Sequence, residues 1–463
     1  CGVDRSRATA SHARTCAYRC WVWPWGHRAS VAAVAGMTVT DDDEFCINAA
    51  AARFGDAPAL IDGSTVLSFV QCAQQAAALP AAATLVGDIS MASILAIYRG
   101  LQDRQPLGLV HPKLSSDVAV RQHAALTAAP VRPGTAAIVF TSGSTGAPRG
   151  VVLSRQALAA AAQMSAAHLG WRDDDRWALP LSLAHVGGLN VVLRCLAAGK
   201  PVVLTPTLPR LAAALSDGAA TLASVVPTQL QDLLHDPTWV VAPNVRALLL
   251  GGAAAPAPLL ATARQRRVPA LTTYGASETC GQVVTAPVDG HAVIGIGLPL
   301  PQVKLQAGTL AAPAPIIVQA PSLFDGYLDQ SPTSMRTEFV TSDVGYLATD
   351  GSLVIVGRSD DVVITGGENV HPATVEAVLL ATPGVIAAVA FGVHDARWGV
   401  TIGVALVVSS EFVPAAAYAC WHQALPAYQR PRHIARVAAL PLTATGKVDR
   451  RAAAELPRLA IEY

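Results

Sequence analysis

The sequence predicts a multi-domain α/β protein: a large N-terminal domain of βαβ-type sheets carrying a β subdomain, followed by a small α+β C-terminal domain. Three observations carry this expectation. The chain has 463 residues, too many for one ordinary core. From about residue 136, apolar strand-like runs bounded by Gly or Pro alternate with helical patterns. After about residue 300 the runs become short and turn-punctuated, and beyond Arg358 a separate strand and helix alternation begins.

Residues 1–36 carry Arg5, Arg7, Arg14, Arg19 and the WVWPW cluster ahead of Met37, which is expected to be the natural start. They are expected to be a non-native or disordered leader; an arginine-rich, acid-poor targeting peptide is the alternative. Residues 46 to 130 alternate apolar helical patterns with GD and DG turns and end in AAPVRPG, a linker. Then AAIVF, RWALPL, KPVVLTP, LASVVPT, VRALLLGG and ALTTYG recur between helical stretches, predicting a parallel sheet covered on both faces. Ligands of such sheets sit at the carboxyl ends of the strands.

PIIVQA, GYL and SLVIVGR read as strands of the β subdomain. Beyond it the order is strand (DVVIT), loop (GGENVHP), helix (ATVEAVLLA), two strands (VIAAVAFGV, TIGVALVV), helix (AAAYACWHQAL) and strand (HIARVAAL). Pro372 suits the first turn of the first of these helices. The domain boundaries are expected at 37–357 and 358–463, the latter mobile.

Net charge is +1 with no charge block, so no nucleic-acid partner is expected. No run of roughly 18 apolar residues free of charge is present, so no membrane association is expected. The cysteines show no CxxC pair or zinc spacing, and a reducing, cytoplasmic setting is expected. The chain reads as a small-molecule protein, with a homodimer left open.

The most informative stretch is IVFTSGSTGAPRGVVLS, in which a strand ends in a loop of glycines and hydroxyls. Glycines allow close backbone approach, and amides with hydroxyls offer several donors to one anion, as phosphate requires. The GK[ST] ending of the common nucleoside-triphosphate loop is absent. Four further stretches follow in order: TTYGASETCG, TSDVGYLATDG, GRSDDVVITGGENVHP and LPLTATGKVDR. Together with TSGSTGAPRG they closely resemble the signature motifs of the adenylate-forming superfamily of acyl-CoA synthetases, adenylation domains and luciferases, over about Ala136 to Ala453.

That resemblance implies attack of a carboxylate on the α-phosphate of ATP, followed by displacement of AMP by the thiol of coenzyme A. Negative charge gathers at phosphorus in the transition state, so catalysis should rest on placed cations and donors. By similarity, Thr141, Ser142, Gly143, Ser144, Thr145 and Gly146 would cradle the β- and γ-phosphates, with Arg149 where the family usually has lysine. Gly251, Gly252 and Ala253 would flank adenine, Tyr274 would stack on it, Gly275 would let the backbone approach, and Thr279 would reach the α-phosphate. Glu278 would ligate Mg²⁺, which favours one carboxylate plus phosphates and water.

Asp343 would accept hydrogen bonds from the ribose, and Arg358 would partner ribose and phosphate. Asp360 takes the hinge position. Lys447, one of only four lysines, would enter the site for adenylation and then give way to Gly366, Gly367 and Glu368, which would line the thiol tunnel. Cys280 is not expected to be a nucleophile, since no base is placed for it.

The stretch LPLSLAHVGGLNVVLRCLAAG resembles the o-succinylbenzoate-CoA ligases of menaquinone synthesis. By that similarity His185 would lie near the reacting carboxylate. A dianionic aromatic acid needs donors or a cation for its second carboxylate, and Arg194 and Thr228 are candidates. Arg194 as a helix-end arginine and His185 as a buried, satisfied histidine stay open. So do another acyl- or aryl-CoA synthetase and a catalytically silent nucleotide-binding homologue. An amino-acid adenylation module is disfavoured, because this segment offers no acid for a substrate ammonium.

Overall fold

In the computed structural model, residues 44–128, 133–141, 149–330, 336–395, 397–443 and 448–461 are described. The leader and the expected site residues Ser142, Gly143, Ser144, Thr145, Gly146 and Lys447 lie outside them.

The strands expected from RWALPL, KPVVLTP, LASVVPT, VRALLLGG and ALTTYG are Trp177–Leu179, Val202–Leu204, Leu222–Val225, Ala247–Leu250 and Ala270–Ala276. They pair in parallel and belong to one nine-stranded sheet. Alternation along them explains its position. Trp177, Leu179, Val202, Leu204, Ala247 and Leu249 point into one apolar cluster, whereas Ala178, Val203, Ala223 and Leu248 point into another. Successive residues point to opposite faces, so near-continuous apolar runs are what a sheet buried on both sides requires.

The AAIVF strand, Thr135–Thr141, lies in a second, five-stranded sheet. It runs parallel to Leu107–Val110 and forms an antiparallel hairpin with Arg149–Ser154, so Thr141 and Arg149 face each other at its end. Residues 46 to 130 contain more than the expected helices. Pro58–Asp62, Thr65–Ser68, Thr84–Val86 and Leu107–Val110 are strands. They are three to five residues long, and an apolar run as short as LGLV has no readable period.

The β subdomain is an antiparallel sheet of Lys304–Gln306, Ala314–Gln319, Phe339–Leu347 and Leu353–Arg358. The C-terminal part follows the expected order; the expected DVVIT strand is Val363–Thr365, and an added strand, Glu368–Val370, inside the segment expected to be a loop, pairs with it as a hairpin. Its four-stranded sheet carries the helices Pro372–Leu380 and Pro414–Ala424 against one core, and residues of the short helix Arg450–Ala454 against another. No helix among the described residues is long and apolar enough to cross a membrane.

Candidate active site

Several of the expected site residues lie at the carboxyl ends of the parallel strands. Tyr274 lies near the end of Ala270–Ala276, Gly251 and Gly252 follow Ala247–Leu250, and Thr228 is exposed just after Leu222–Val225. Gly252 has φ +81° and Gly251 has no room for a Cβ, which would meet the Thr273 hydroxyl at 2.4 Å. The neighbouring Ala253 is exposed.

One group of residues is held by a chain of polar contacts. The Tyr274 hydroxyl donates to Asp343 Oδ2 at 2.8 Å, and Arg358 Nη1 donates to Asp343 Oδ1 at 3.3 Å. Arg358 also grips Asp360 with both Nε and Nη2, at 2.8 and 2.7 Å. The antiparallel register that sets Asp343 opposite Arg358 makes this possible. Burial, then the Asp343 charge, pushes the Tyr274 phenol up, and the Asp360 hydrogen bonds push the Arg358 guanidinium up. Both therefore stay protonated. Asp360, the expected hinge, follows directly on the last strand of the β subdomain.

A second group surrounds Glu278, on the turn Ser277–Thr279. Its Oε1 accepts from the Tyr327 hydroxyl at 3.0 Å, and the Arg149 guanidinium carbon sits 3.4 Å from the centre of the Tyr327 ring. Arg336 lies over Phe324 at 4.8 Å, and Phe324 packs edge-on against Tyr327. Sequence reading missed Tyr327 and Arg336, which lie between the motifs. Glu278 Oε2 has no bond to a described residue, and no cluster of three or more acidic, His or Cys groups occurs among the described residues. One available carboxylate oxygen without a protein cage fits a hard cation carried mainly by phosphates and water.

A third group is a histidine pair. His185 precedes the helix Val186–Ala198, and its ring lies 5.0 Å from that of His111, which follows strand Leu107–Val110 of the other sheet. The Gly87 carbonyl accepts from Leu183 N–H at 2.9 Å and the Ser182 hydroxyl at 2.6 Å, bracing the loop that carries His185. Burial, then Lys113, lowers the His111 pKa, so His111 is neutral at neutral pH. A lone His in HPK gave no signal for it.

Two motif residues are also held by contacts within the fold. Thr279 is buried, and its hydroxyl accepts from Ala276 N–H at 2.9 Å and lies 2.6 Å from the Gly281 carbonyl. It closes the turn under Glu278. Gly275 is needed by the fold, because a Cβ there would lie 1.9 Å from the Gly281 carbonyl oxygen, where the pairing with Gly281–Thr285 shifts register. Gly275→Ala is expected to cost about 1–3 kcal/mol of unfolding free energy, measured by denaturant titration. An unchanged midpoint would contradict this packing.

Arg194 is 5% exposed, with its guanidinium carbon 5.6 Å from the centre of the buried Trp177 ring. It is about 13 Å further along the helix axis than His185, so the structure does not put the two in contact. Cys280 is fully buried and its thiol is pushed up by burial, as expected of a residue that is no nucleophile. Gly366 and Gly367 have φ +58° and +89° in the turn of the C-terminal hairpin, next to exposed Glu368, and a Cβ on Gly366 would strike Trp398 at 2.8 Å.

Against this geometry, the family model described as AMP-binding enzyme matches residues 101–328, and that of the AMP-binding enzyme C-terminal domain matches residues 374–447. A 2-succinylbenzoate–CoA ligase of Bacillus cereus is 34% identical over 331 residues, 68% of each chain. The chain belongs to the AMP-binding enzyme family. A second relative of this AMP-binding enzyme, the 2-succinylbenzoate–CoA ligase of Bacillus velezensis, is 34% identical over 336 residues, covering 70% and 69%. The fold matches that of o-succinylbenzoate CoA synthetase (MenE) from Bacillus subtilis in complex with the acyl-adenylate OSB-AMP. The TM-score is 0.79 at 24% identity, over 90% and 99% of the chains. It also matches the amide bond synthetase McbA from Marinactinospora thermotolerans, with TM-score 0.78 at 22% identity over 89% and 99%.

Proposed function

We propose that this AMP-binding enzyme joins o-succinylbenzoate to coenzyme A through an acyl-adenylate, as a ligase of menaquinone biosynthesis. Its curated relatives carry that activity in their names, at 34% identity over about two thirds of the chain. The single structural observation in favour is the connected set Tyr274, Asp343, Arg358 and Asp360, which joins adenine-side, ribose-side and hinge residues by direct hydrogen bonds.

In this reading Thr141 to Gly146 and Arg149 hold the β- and γ-phosphates, and Gly251, Gly252, Ala253 and Tyr274 hold the adenine. Asp343 accepts from the ribose while Arg358 tethers it. Glu278 would hold magnesium, which when bound neutralises charge on the triphosphate. The substrate carboxylate beside His185 attacks the α-phosphorus and pyrophosphate leaves, with Lys447 stabilising the added charge. The coenzyme A thiolate then attacks the acyl carbon and AMP departs, along a passage lined by Gly366, Gly367 and Glu368 once the C-terminal domain, 358–463, has turned on Asp360. Arg194 and Thr228 serve the second substrate carboxylate. The setting is cytoplasmic, consistent with free Cys46, Cys72, Cys195, Cys280 and Cys420.

Pyrophosphate exchange with a panel of aromatic, aliphatic and amino acids tests this. O-succinylbenzoate is expected to exceed benzoate by about 10²-fold in kcat/KM, the value of a read second carboxylate. A stronger response to another acid would reassign the enzyme to a different acyl- or aryl-CoA synthetase, and no exchange with any acid would favour a silent homologue.

A further inference from the structure

The basic residue of the phosphate loop and the acidic residue of the Ser-Glu-Thr turn carry opposite charges and face the same aromatic ring. Among the described residues no ion pair joins Arg149 to Glu278; Tyr327 lies between them. We propose that Tyr327 is a positioning residue that keeps these two charges apart and aimed, its ring seating Arg149 for the phosphates and its hydroxyl fixing Glu278 for the divalent cation. The proposal rests on the nucleotide-activating reading above and adds to it a residue outside the recognised motifs.

The backbone explains the arrangement. The short strand Gly326–Tyr327 adds to Arg149–Ser154 with Tyr327 opposite Val151. Side chains alternate along a strand, so Arg149 and Val151 share a face and Arg149 is the diagonal neighbour of Tyr327, within reach of a long side chain. Thr141 and Arg149 pair at the end of the hairpin, so the strand that pairs with Tyr327 also carries Arg149.

Tyr327 is itself fixed. Phe324 packs edge-on at 5.0 Å and in turn against Phe339 at 5.4 Å. Phe324 N–H also donates to the Glu278 carbonyl at 2.9 Å, tying the turn to the segment that carries the tyrosine. A guanidinium on an aromatic face keeps its charge and its outward N–H groups, whereas a direct carboxylate pair would engage both. Without the spacer, Arg149 and Glu278 would neutralise each other.

The test compares Tyr327→Phe, which keeps the ring and loses the hydroxyl, with Tyr327→Leu, which loses both. ATP binding to the full chain is measured by calorimetry across a magnesium series with no acid present. Tyr327→Phe is expected to raise the half-saturating magnesium concentration about fivefold with ATP affinity at saturating magnesium within about twofold of wild type. Tyr327→Leu is expected to weaken that saturating affinity about tenfold, and adding Arg149→Ala is expected to weaken it little more. Thioester formation from supplied acyl-adenylate, which has no β- and γ-phosphates, should keep the wild-type rate in both variants.

Wild-type magnesium dependence in Tyr327→Phe would overturn the role of the hydroxyl, and equal loss in the thioester step would reduce Tyr327 to a packing residue. A wild-type protein that binds no ATP would instead overturn the proposed function. Wild-type binding with an unshifted variant overturns the tyrosine alone.

Discussion

Lys447→Ala is expected to lower acyl-adenylate formation by about 10²–10³-fold or more, while thioester formation from supplied acyl-adenylate stays within about threefold of wild type. The asymmetry follows from where charge develops. Attack on the α-phosphorus adds negative charge to a polyphosphate that already carries several, and a lysine placed there acts on the transition state more than on bound ATP. Once pyrophosphate has left, the second step breaks a bond between acyl carbon and phosphate oxygen and no longer needs that cation. The flanks of Lys447 indicate that the substitution spares the domain. Leu442 bridges to Val448, Asp449 N–H donates to the Pro441 carbonyl at 2.8 Å, and Asp449 caps Arg450–Ala454 by accepting from Ala452 N–H at 3.0 Å. Arg450 anchors that short helix to Glu376 and the Ala390 carbonyl. Pyrophosphate release and thioester formation, assayed separately, decide the matter. Equal loss in both would end the idea that the C-terminal domain presents different residues in the two steps.

The parallel strands and the C-terminal order were legible because each carries its own signal, an apolar run stopped by Gly or Pro. Pro58–Asp62, Thr84–Val86 and Leu107–Val110 were not, since they are too short for alternation to show and are set by pairing with strands elsewhere in the chain. The site divides in the same way. Tyr274, Asp343, Arg358 and Asp360 announce themselves through local motifs, and the structure joins them. Tyr327 and His111 have no local mark, because their importance comes from a cross-strand partner and from the meeting of two sheets. Thr279 and Gly275 carry a second constraint that their motif does not announce. Their motif points to the nucleotide, and a hydroxyl inside a tight turn and a glycine against a neighbouring backbone are required by the fold as well.

Arg194→Met is expected to raise KM for o-succinylbenzoate by about 30-fold or more while benzoate is affected less than about threefold, with stability unchanged or raised. The guanidinium is buried, and burial lowers its pKa to about 10, which leaves it charged at neutral pH. Its Nε has no hydrogen-bond partner among the described residues, and the buried acid Asp175 is gripped by Arg246 Nε at 2.8 Å and Nη2 at 2.6 Å. Trp177 offers Arg194 a ring face while its own indole N–H donates to Ser224. A buried cation without an anion is costly, and methionine fills similar volume without that cost. A residue that only packs the helix would lose stability when replaced and would treat both acids alike. One that awaits a carboxylate from the substrate loses selectivity instead, and the free enzyme is no less stable for it. Thermal melts without substrate and kcat/KM for the two acids separate these outcomes. Parallel loss for o-succinylbenzoate and benzoate would remove Arg194 from substrate recognition and leave the second carboxylate to Thr228 and its neighbours at the carboxyl end of Leu222–Val225.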